Sequence, residues 1–281
     1  MLQVKKVDNL RNFLKNQIGK CYSVRKFKSA IDNGFVKVNG VVEKLSTRKL
    51  NIGDSVLVDM NQLNSNIGLK YDLGRVLYND DDILVYNKPA HISTMGCGLL
   101  EVLRKEYPDL IPVHRLDVVT TGAIIFVHNV EAEKVILKQF VEHQVGKTYC
   151  AMVKGSFSKS DGVVDNYLGK GHNQHGNIVM KLDRKKGQRA ITEWRLIKQG
   201  PKNALVECYP KTGRTHQIRV HMRQLGHPLL GDSIYNQAPS NLSRSMLHSY
   251  KVTFTHPING EVMLFQAPLP SDFKACMREF L

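Results

Sequence analysis

The sequence predicts an α+β protein: a mixed, mainly antiparallel β-sheet with flanking helices, preceded by a small α+β unit. Three observations lead there. Short strand-like runs dominate residues 73–281, and helices do not alternate regularly with them, which favours α+β over a doubly wound sheet. Residues 1–62 carry their own order of two helices followed by short strands. Between the two, the stretch from Met60 to Asp72 is rich in Asn and lacks periodicity, so 63–72 reads as a linker.

In the N-terminal unit, Asn9 can cap a helix whose Leu10, Phe13, Leu14 and Ile18 share one face. A second helix is expected from Ser23 to Asp32, with Val24, Phe27 and Ile31 apolar and Arg25, Lys26 and Lys28 polar. Asn33-Gly34 ends it, because Gly accepts the left-handed conformation that follows a helix. Phe35, Val36 and Val38 then lead into Asn39-Gly40, a hairpin turn signal, and Val41-Val42 continue beyond it. Ile52-Gly53-Asp54 turns into a strand over Ser55 to Val58.

In the larger part, strands are expected at Ile83–Tyr86, Ala123–Val127, Lys147–Val153, Ala190–Ile197, Ala204–Tyr209, Leu247–Phe254 and Val262–Gln266. Helices are expected at Val130–Glu142 and Gln217–Leu225. No internal repeat or low-complexity tract interrupts this order.

The bulk properties narrow the function. The chain has 281 residues, a net charge of +15 and a pI near 9.6. Such a surplus points to a polyanionic partner, nucleic acid before anionic membrane. Residues 1–62 are the denser part, with 12 Lys/Arg against 5 Asp/Glu. The five cysteines are odd in number and scattered, with no CxxC, which argues against zinc and for a reducing compartment. No apolar run approaches the ~20 residues of a membrane-spanning helix, and Met1 to Lys6 do not open a secretory signal. A soluble cytoplasmic protein without a metal is the expectation, with monomer as the default state.

Three segments can carry chemistry. The first is Val113-His114-Arg115-Leu116-Asp117 with Val118-Val119-Thr120-Thr121-Gly122, followed by the apolar Ala123–Val127. It sets a cation and a carboxylate beside the core, where a charge needs a partner. Capping of a turn is the ordinary role of such an Asp. An opposing guanidinium instead favours its charged form, which is a competent nucleophile. The second is Lys147-Thr148-Tyr149, where strand alternation sends Lys147 and Tyr149 to one face and an aromatic ring offers a stacking platform. The third runs from Thr212 to Pro228 through Gly213, Arg214, Thr215, His216, Gln217, Ile218 and Arg219. Thr215 is a candidate helix N-cap there, and Arg219 and Arg223 lie four apart on its face.

Together these segments resemble the signatures of RNA pseudouridine synthases of the RluA type, and residues 1–62 resemble the S-four-type RNA-binding domain, named after a ribosomal small-subunit protein. The resemblance to the synthases extends to Tyr86-Asn87-Lys88-Pro89-Ala90, to Gly231-Asp232 and Tyr235, and to Leu247-His248. It implies a pseudouridine synthase catalytic domain over 73–281. It further implies Asp117 as nucleophile, Tyr149 stacked on the target uracil, Arg219 paired with Asp117, and Leu247 in the uracil pocket. Arg115 would contact the flipped-out nucleotide. Arg214 and His216 have the charge to hold RNA, as do Arg25, Lys26 and Lys28 in the N-terminal domain. Val119, Thr121 and His91 depart from the family's usual Asp, Ser and Gly, which bears on loop geometry and substrate fit.

The implied reaction breaks the bond from ribose to N1 of uracil, turns the base and rejoins it through C5, with no cofactor. Asp117 would add to C6 of the base or C1′ of the sugar, or act first as a base at C2′. A base in structured RNA must be flipped out at a cost of a few kcal/mol, which phosphate contacts and stacking offset. Ribosomal large-subunit RNA is the first expectation for the substrate and transfer RNA the second. Two other classes compete: a non-catalytic RNA-binding or ribosome-assembly protein, and a base-excising glycosylase. Pure binding has no use for a carboxylate opposite RNA phosphates, and no helix-hairpin-helix or zinc pattern supports the glycosylase.

Overall fold

The computed structural model describes residues 2–18, 24–59, 72–96, 98–172, 178–236, 238 and 240–281. The expected linker lies outside the described residues apart from Asp72. The chain divides into two compact units, one of Met1–Tyr71 with Met95–Glu106 and one of Asp72–Thr94 with Tyr107–Leu281.

In the first unit, β1 (Leu2–Gln3) and β2 (Asp8–Asn9) precede α1 (Leu10–Ile18) and α2 (Val24–Asp32). Then come β3 (Val36–Val38), β4 (Val41–Val42), β5 (Lys49–Leu50) and β6 (Ser55–Val58). The sheet order is β1-β6-β3-β4, with β2 and β5 as a separate pair. Asn9 caps α1: its side-chain oxygen accepts the N–H of Asn12 at 2.9 Å. Leu10, Phe13 and Leu14 pack with Phe27, Ala30 and Ile31 over Val36, Val38 and Val56. The β3–β4 turn places Asn39 and Gly40 at φ 51° and 81°. Both angles are left-handed, as the two central residues of a type I′ hairpin require, and Asn and Gly tolerate them best. A short helix at Leu99–Leu103 belongs to the same unit.

The second unit begins with β7 (Val76–Asn79), β8 (Ile83–Lys88), β9 (Ile111–Pro112), β10 (Thr121–Val127) and α3 (Val130–Val141). It continues with β11 (Gly146–Lys154), β12 (Asp161–His172), β13 (Ile178–Leu182), β14 (Gln188–Gln199) and β15 (Asn203–Pro210). It ends with α4 (Gln217–Gln224), β16 (Leu247–Thr255), β17 (Val262–Gln266) and α5 (Ser271–Phe280). Its strands form one sheet, β13-β12-β14-β15-β11-β16-β10-β8-β7, with β17 added to β16 and β9 to β10. The mixed, mainly antiparallel α+β class is the one expected. Helix α3 packs Ala132 and Ile136 on Ile125, Val85 and Phe254. Helix α5 packs Phe273 and Cys276 on Cys150, Met152 and Leu205.

One irregularity positions the site. Thr121 and Gly122 of β10 run parallel to His248 and Ser249 of β16, whereas every other pair among the described residues is antiparallel. The strands meet closely there: a Cβ on Gly122, at φ 111°, would lie 2.2 Å from the Ser249 carbonyl oxygen. Only glycine fits, and the contact brings the end of the Asp117 loop against the start of β16. Strands β12 and β13 and helix α5 are absent from the sequence expectation.

Candidate active site

The loop before β10 is fastened by its backbone. The Thr94 hydroxyl accepts the Leu116 N–H and donates to the Leu116 carbonyl, both at 3.1 Å. His114 accepts the Ile125 N–H through Nε2 at 2.9 Å, and desolvation pushes its imidazole down to about 3, so it stays neutral. The next three carbonyls point at buried cations. The Lys88 ammonium donates to Val118 and Thr120 at 3.3 and 2.8 Å, and to Pro89 at 2.9 Å. The Arg244 guanidinium reaches Val119 at 3.4 Å and the Leu247 carbonyl at 3.1 Å. Asp272 of α5 grips Arg244 at 2.6 and 3.0 Å. Burial pushes Lys88 down to about 7, opposed by the charge of Asp117. Three carbonyl acceptors nevertheless call for three N–H donors, which only the ammonium supplies.

Asp117 emerges from this loop with its side chain 20% exposed. Its Oδ2 lies 3.5 Å from Arg219 Nη1 and 4.0 Å from His216 Nε2. Oδ1 carries no hydrogen bond among the described residues. Arg219, on α4, is 3% exposed and is held firmly elsewhere: its Nε and Nη2 meet the Asp232 carboxylate at 2.7 and 2.8 Å. Burial alone would raise the Asp232 carboxyl, but its bonds from Arg219 and from the Tyr235 and Ile234 N–H groups hold it below its ordinary value. The pairing read from the sequence is therefore incomplete. Arg219 spends its bidentate face on Asp232 and only a remaining nitrogen on Asp117.

A cavity of about 790 Å³ opens over Asp117. Tyr149, Leu247, Arg219, His216 and Lys147 share its wall. Tyr149 is buried on β11, and desolvation pushes its phenol up to about 12, so it remains a neutral ring. Burial pushes Lys147 down to about 8 and lowers His216, against the pull of Asp117. Thr120 lines the same cavity, and its Oγ1 is the one buried side-chain polar atom without a partner among the described residues.

The structure thus brings Asp117, Tyr149, Arg219, His216 and Leu247 together. Arg115 and Arg214 are exposed residues of the same cavity; Arg115 donates to the Thr215 hydroxyl at 3.0 Å and Arg214 to the Arg189 carbonyl at 3.1 Å. Thr215 is not the cap of α4. That position falls to His216 at φ 55° with no side-chain cap bond, and Gln217 instead accepts the Arg214 N–H at 3.0 Å and the Thr212 hydroxyl at 2.7 Å. Arg219 and Arg223 also part company, one buried and one exposed. Lys28 is exposed on α2, while the side chains of Arg25 and Lys26 lie outside the described residues. Sequence reasoning assigned no role to Lys88, Arg244 or Asp232. A lysine closing the apolar run Ile83–Val85 was the available signal for the first. Among the described residues Asp80, Asp82 and His256 lie close enough to share an ion, but none lines this cavity.

Residues 82–224 match the sequence profile of the family described as RNA pseudouridylate synthase. An uncharacterized RNA pseudouridine synthase of Bacillus subtilis, YhcT, is 32% identical over 262 residues, covering 87% of this chain and 85% of its own. Ribosomal large subunit pseudouridine synthase D of Nitrosomonas europaea is 35% identical over 225 residues, covering 73% of this chain and 64% of its own. Among solved structures, human RNA pseudouridylate synthase domain containing 4 superposes with a TM-score of 0.62 at 25% identity, over 72% of this chain and 91% of that one.

Proposed function

The chain belongs to the RNA pseudouridylate synthase family and isomerises uridine in RNA to pseudouridine, and we propose that Asp117 is the nucleophile of that reaction. The observation that carries the assignment is the cavity in which Asp117, Tyr149 and Arg219 meet. The Arg219 guanidinium and the His216 ring both lie at Asp117 Oδ2, so among the described residues Oδ1 is the oxygen free to attack. The guanidinium at one oxygen orients the carboxylate. The flat face of Tyr149 stacks on the uracil and Leu247 closes the pocket, so that the base stays beside the ribose while it turns. The proton lost from C5 and the proton gained at N1 balance, which is why the reaction needs no redox partner. Arg115, Arg214 and His216 hold the RNA around the flipped nucleotide.

Residues 1–62 serve as an RNA-binding module with Arg25, Lys26 and Lys28 as phosphate contacts. Its resemblance to a ribosomal-protein domain, and a relative whose name specifies the large ribosomal subunit, favour large-subunit ribosomal RNA as substrate, with transfer RNA second. Replacing all three cations by Gln should weaken binding to ribosomal RNA and reduce the slope of log affinity against log salt by ~2–3, close to one per lost phosphate contact. An unchanged slope would remove these residues from the interface.

The decisive experiment incubates the full chain and Asp117→Asn with unmodified ribosomal and transfer RNA and maps pseudouridine by position. Isomerised uridine from the wild type alone is expected. Activity of Asp117→Asn within about tenfold of wild type would take the nucleophile's role away from Asp117. An abasic site in the product would make the enzyme a glycosylase instead.

A further inference from the structure

The cavity over Asp117 has a neighbour. A second recess of about 590 Å³ adjoins it, and the two share His143, Lys147, Pro210 and Lys211 in their walls. Its volume is that of an ordinary small-ligand site. The shared wall holds one cation of unusual standing. The Lys147 ammonium makes no hydrogen bond or ion pair among the described residues; its neighbour is the Phe140 ring, 5.8 Å away. The other cations of the recess are engaged, Lys211 with Glu193 at 2.8 Å and Arg195 with Glu207 at 3.1 Å. A half-buried cation without an anion is costly unless a ligand supplies one. A phosphodiester joining a nucleotide in the first cavity to one in the second would cross the wall where Lys147 stands.

We propose that the second recess holds an unpaired nucleotide adjacent to the target uridine, with Lys147 on the phosphate between them and the carboxylates of Asp161 and Glu193 on its base. This rests on the reading of the Asp117 cavity as the uridine site. Asp161 receives only the hydroxyl of neighbouring Ser160, at 2.7 Å, and so keeps acceptor capacity. Carboxylates accept the exocyclic amino group of adenine, cytosine or guanine, whereas uracil turns carbonyl oxygens toward them. The recess therefore selects an amino-bearing base beside the target.

The test uses the full chain, with uridine and the dinucleoside monophosphates UpA, UpC, UpG and UpU and their reversed sequences as probes. Saturation-transfer NMR of the uracil protons reads the first cavity. Trp194, the single tryptophan of the chain, lines the second recess and not the first, so its emission reads the second. Uridine should bind without moving Trp194 emission. Amino-bearing dinucleotides of one polarity should shift that emission and bind about tenfold tighter, the gain of one charge-assisted phosphate contact. Lys147→Met should erase the gain. Asp161→Asn with Glu193→Gln should keep the gain but level the amino-bearing dinucleotides with UpU; a preference that survives this pair overturns the proposal even where Lys147→Met does not fold. Dinucleotides no tighter than uridine, or an unmoved Trp194 at saturation of the first cavity, overturn it and leave the uridine site standing. If no uracil probe binds at all, the uridine site and this inference fall together.

Discussion

Arg219 stands between two carboxylates that are held in opposite ways. In the turn at 231–235, Asp232 is fully buried and every contact is used: two guanidinium nitrogens at 2.7 and 2.8 Å and the N–H groups of Ile234 and Tyr235 at 3.0 and 3.1 Å. In the loop before β10, Asp117 has one contact to the same guanidinium at 3.5 Å and, among the described residues, an unbonded second oxygen. The difference is the one that the proposed role of Asp117 as nucleophile requires. The side chain is the same; the number of donors committed to it is not. The loop that carries Asp117 is made rigid through its carbonyls, by Lys88 and Arg244, which leaves the side chain free.

Exchanging each aspartate for asparagine tests this contrast most severely. Asp117→Asn should lose at least about a thousandfold in pseudouridine formation while its melting temperature moves by no more than ~2 °C, a shift worth under ~1 kcal/mol. Asp232→Asn leaves Arg219 buried beside a neutral amide and should cost about 3–5 kcal/mol, a fall in melting temperature on the order of 10 °C. Calorimetry and a single-turnover assay on both variants separate the roles. Equal destabilisation of the two would mean that Asp117 is as structural as Asp232.

Next in size is the hold on the loop itself. Arg244→Met removes the donor to Val119 and Leu247 and should lower kcat by about 10²-fold, the penalty of a displacement near 1 Å, with a smaller change in RNA affinity. Asp272→Asn keeps the guanidinium but loosens its anchor, and should show the same kcat-over-affinity pattern more weakly. A variant that melts earlier yet turns over at the wild-type rate would restrict Arg244 to stability.

These dependences explain what could be read from the sequence. That Asp117, Tyr149 and Arg219 belong to one cavity was legible because the pattern of side-chain types around each is itself the signal. Lys88 and Arg244 were not, because they act on backbone carbonyls, which every residue has, and their targets lie 30 and 125 residues away. The parallel contact of Gly122 with Ser249 is equally silent in one dimension. Strand β12 was hidden by its composition, since Asp161, Gly162, Asp165, Asn166, Gly169 and Gly171 are types that strands avoid. Helix α5 was readable in principle, with Phe273, Cys276, Met277 and Phe280 at helical spacing. The cap position of α4 falls to His216, and the turn before it is held by Gln217, whose amide oxygen accepts from both Arg214 and Thr212, a choice that a Thr at the expected position conceals.

The smallest effect separates the backbone hold from the side-chain hold by pH. Lys88 titrates at about 7 in the folded protein against an ordinary 10.5. Between those values the unfolded chain binds more protons at this site than the native one, so the site's contribution to stability rises with pH through that window. Its effect on activity has the opposite sign. Above about pH 7 the ammonium loses one of three donors, and one of the carbonyls of Pro89, Val118 and Thr120 is left without its bond. Turnover should therefore decline several-fold from pH 7 to 9, while denaturant midpoints in the same buffers do not decline. Lys88→Arg stays charged throughout. If it folds and retains part of the activity, its profile should be flat over this range. A wild-type profile flat from pH 7 to 9, or an equal decline in Lys88→Arg, would show that the three carbonyls hold the loop without the charge, and that rigidity under Asp117 comes from Arg244 and Thr94 alone.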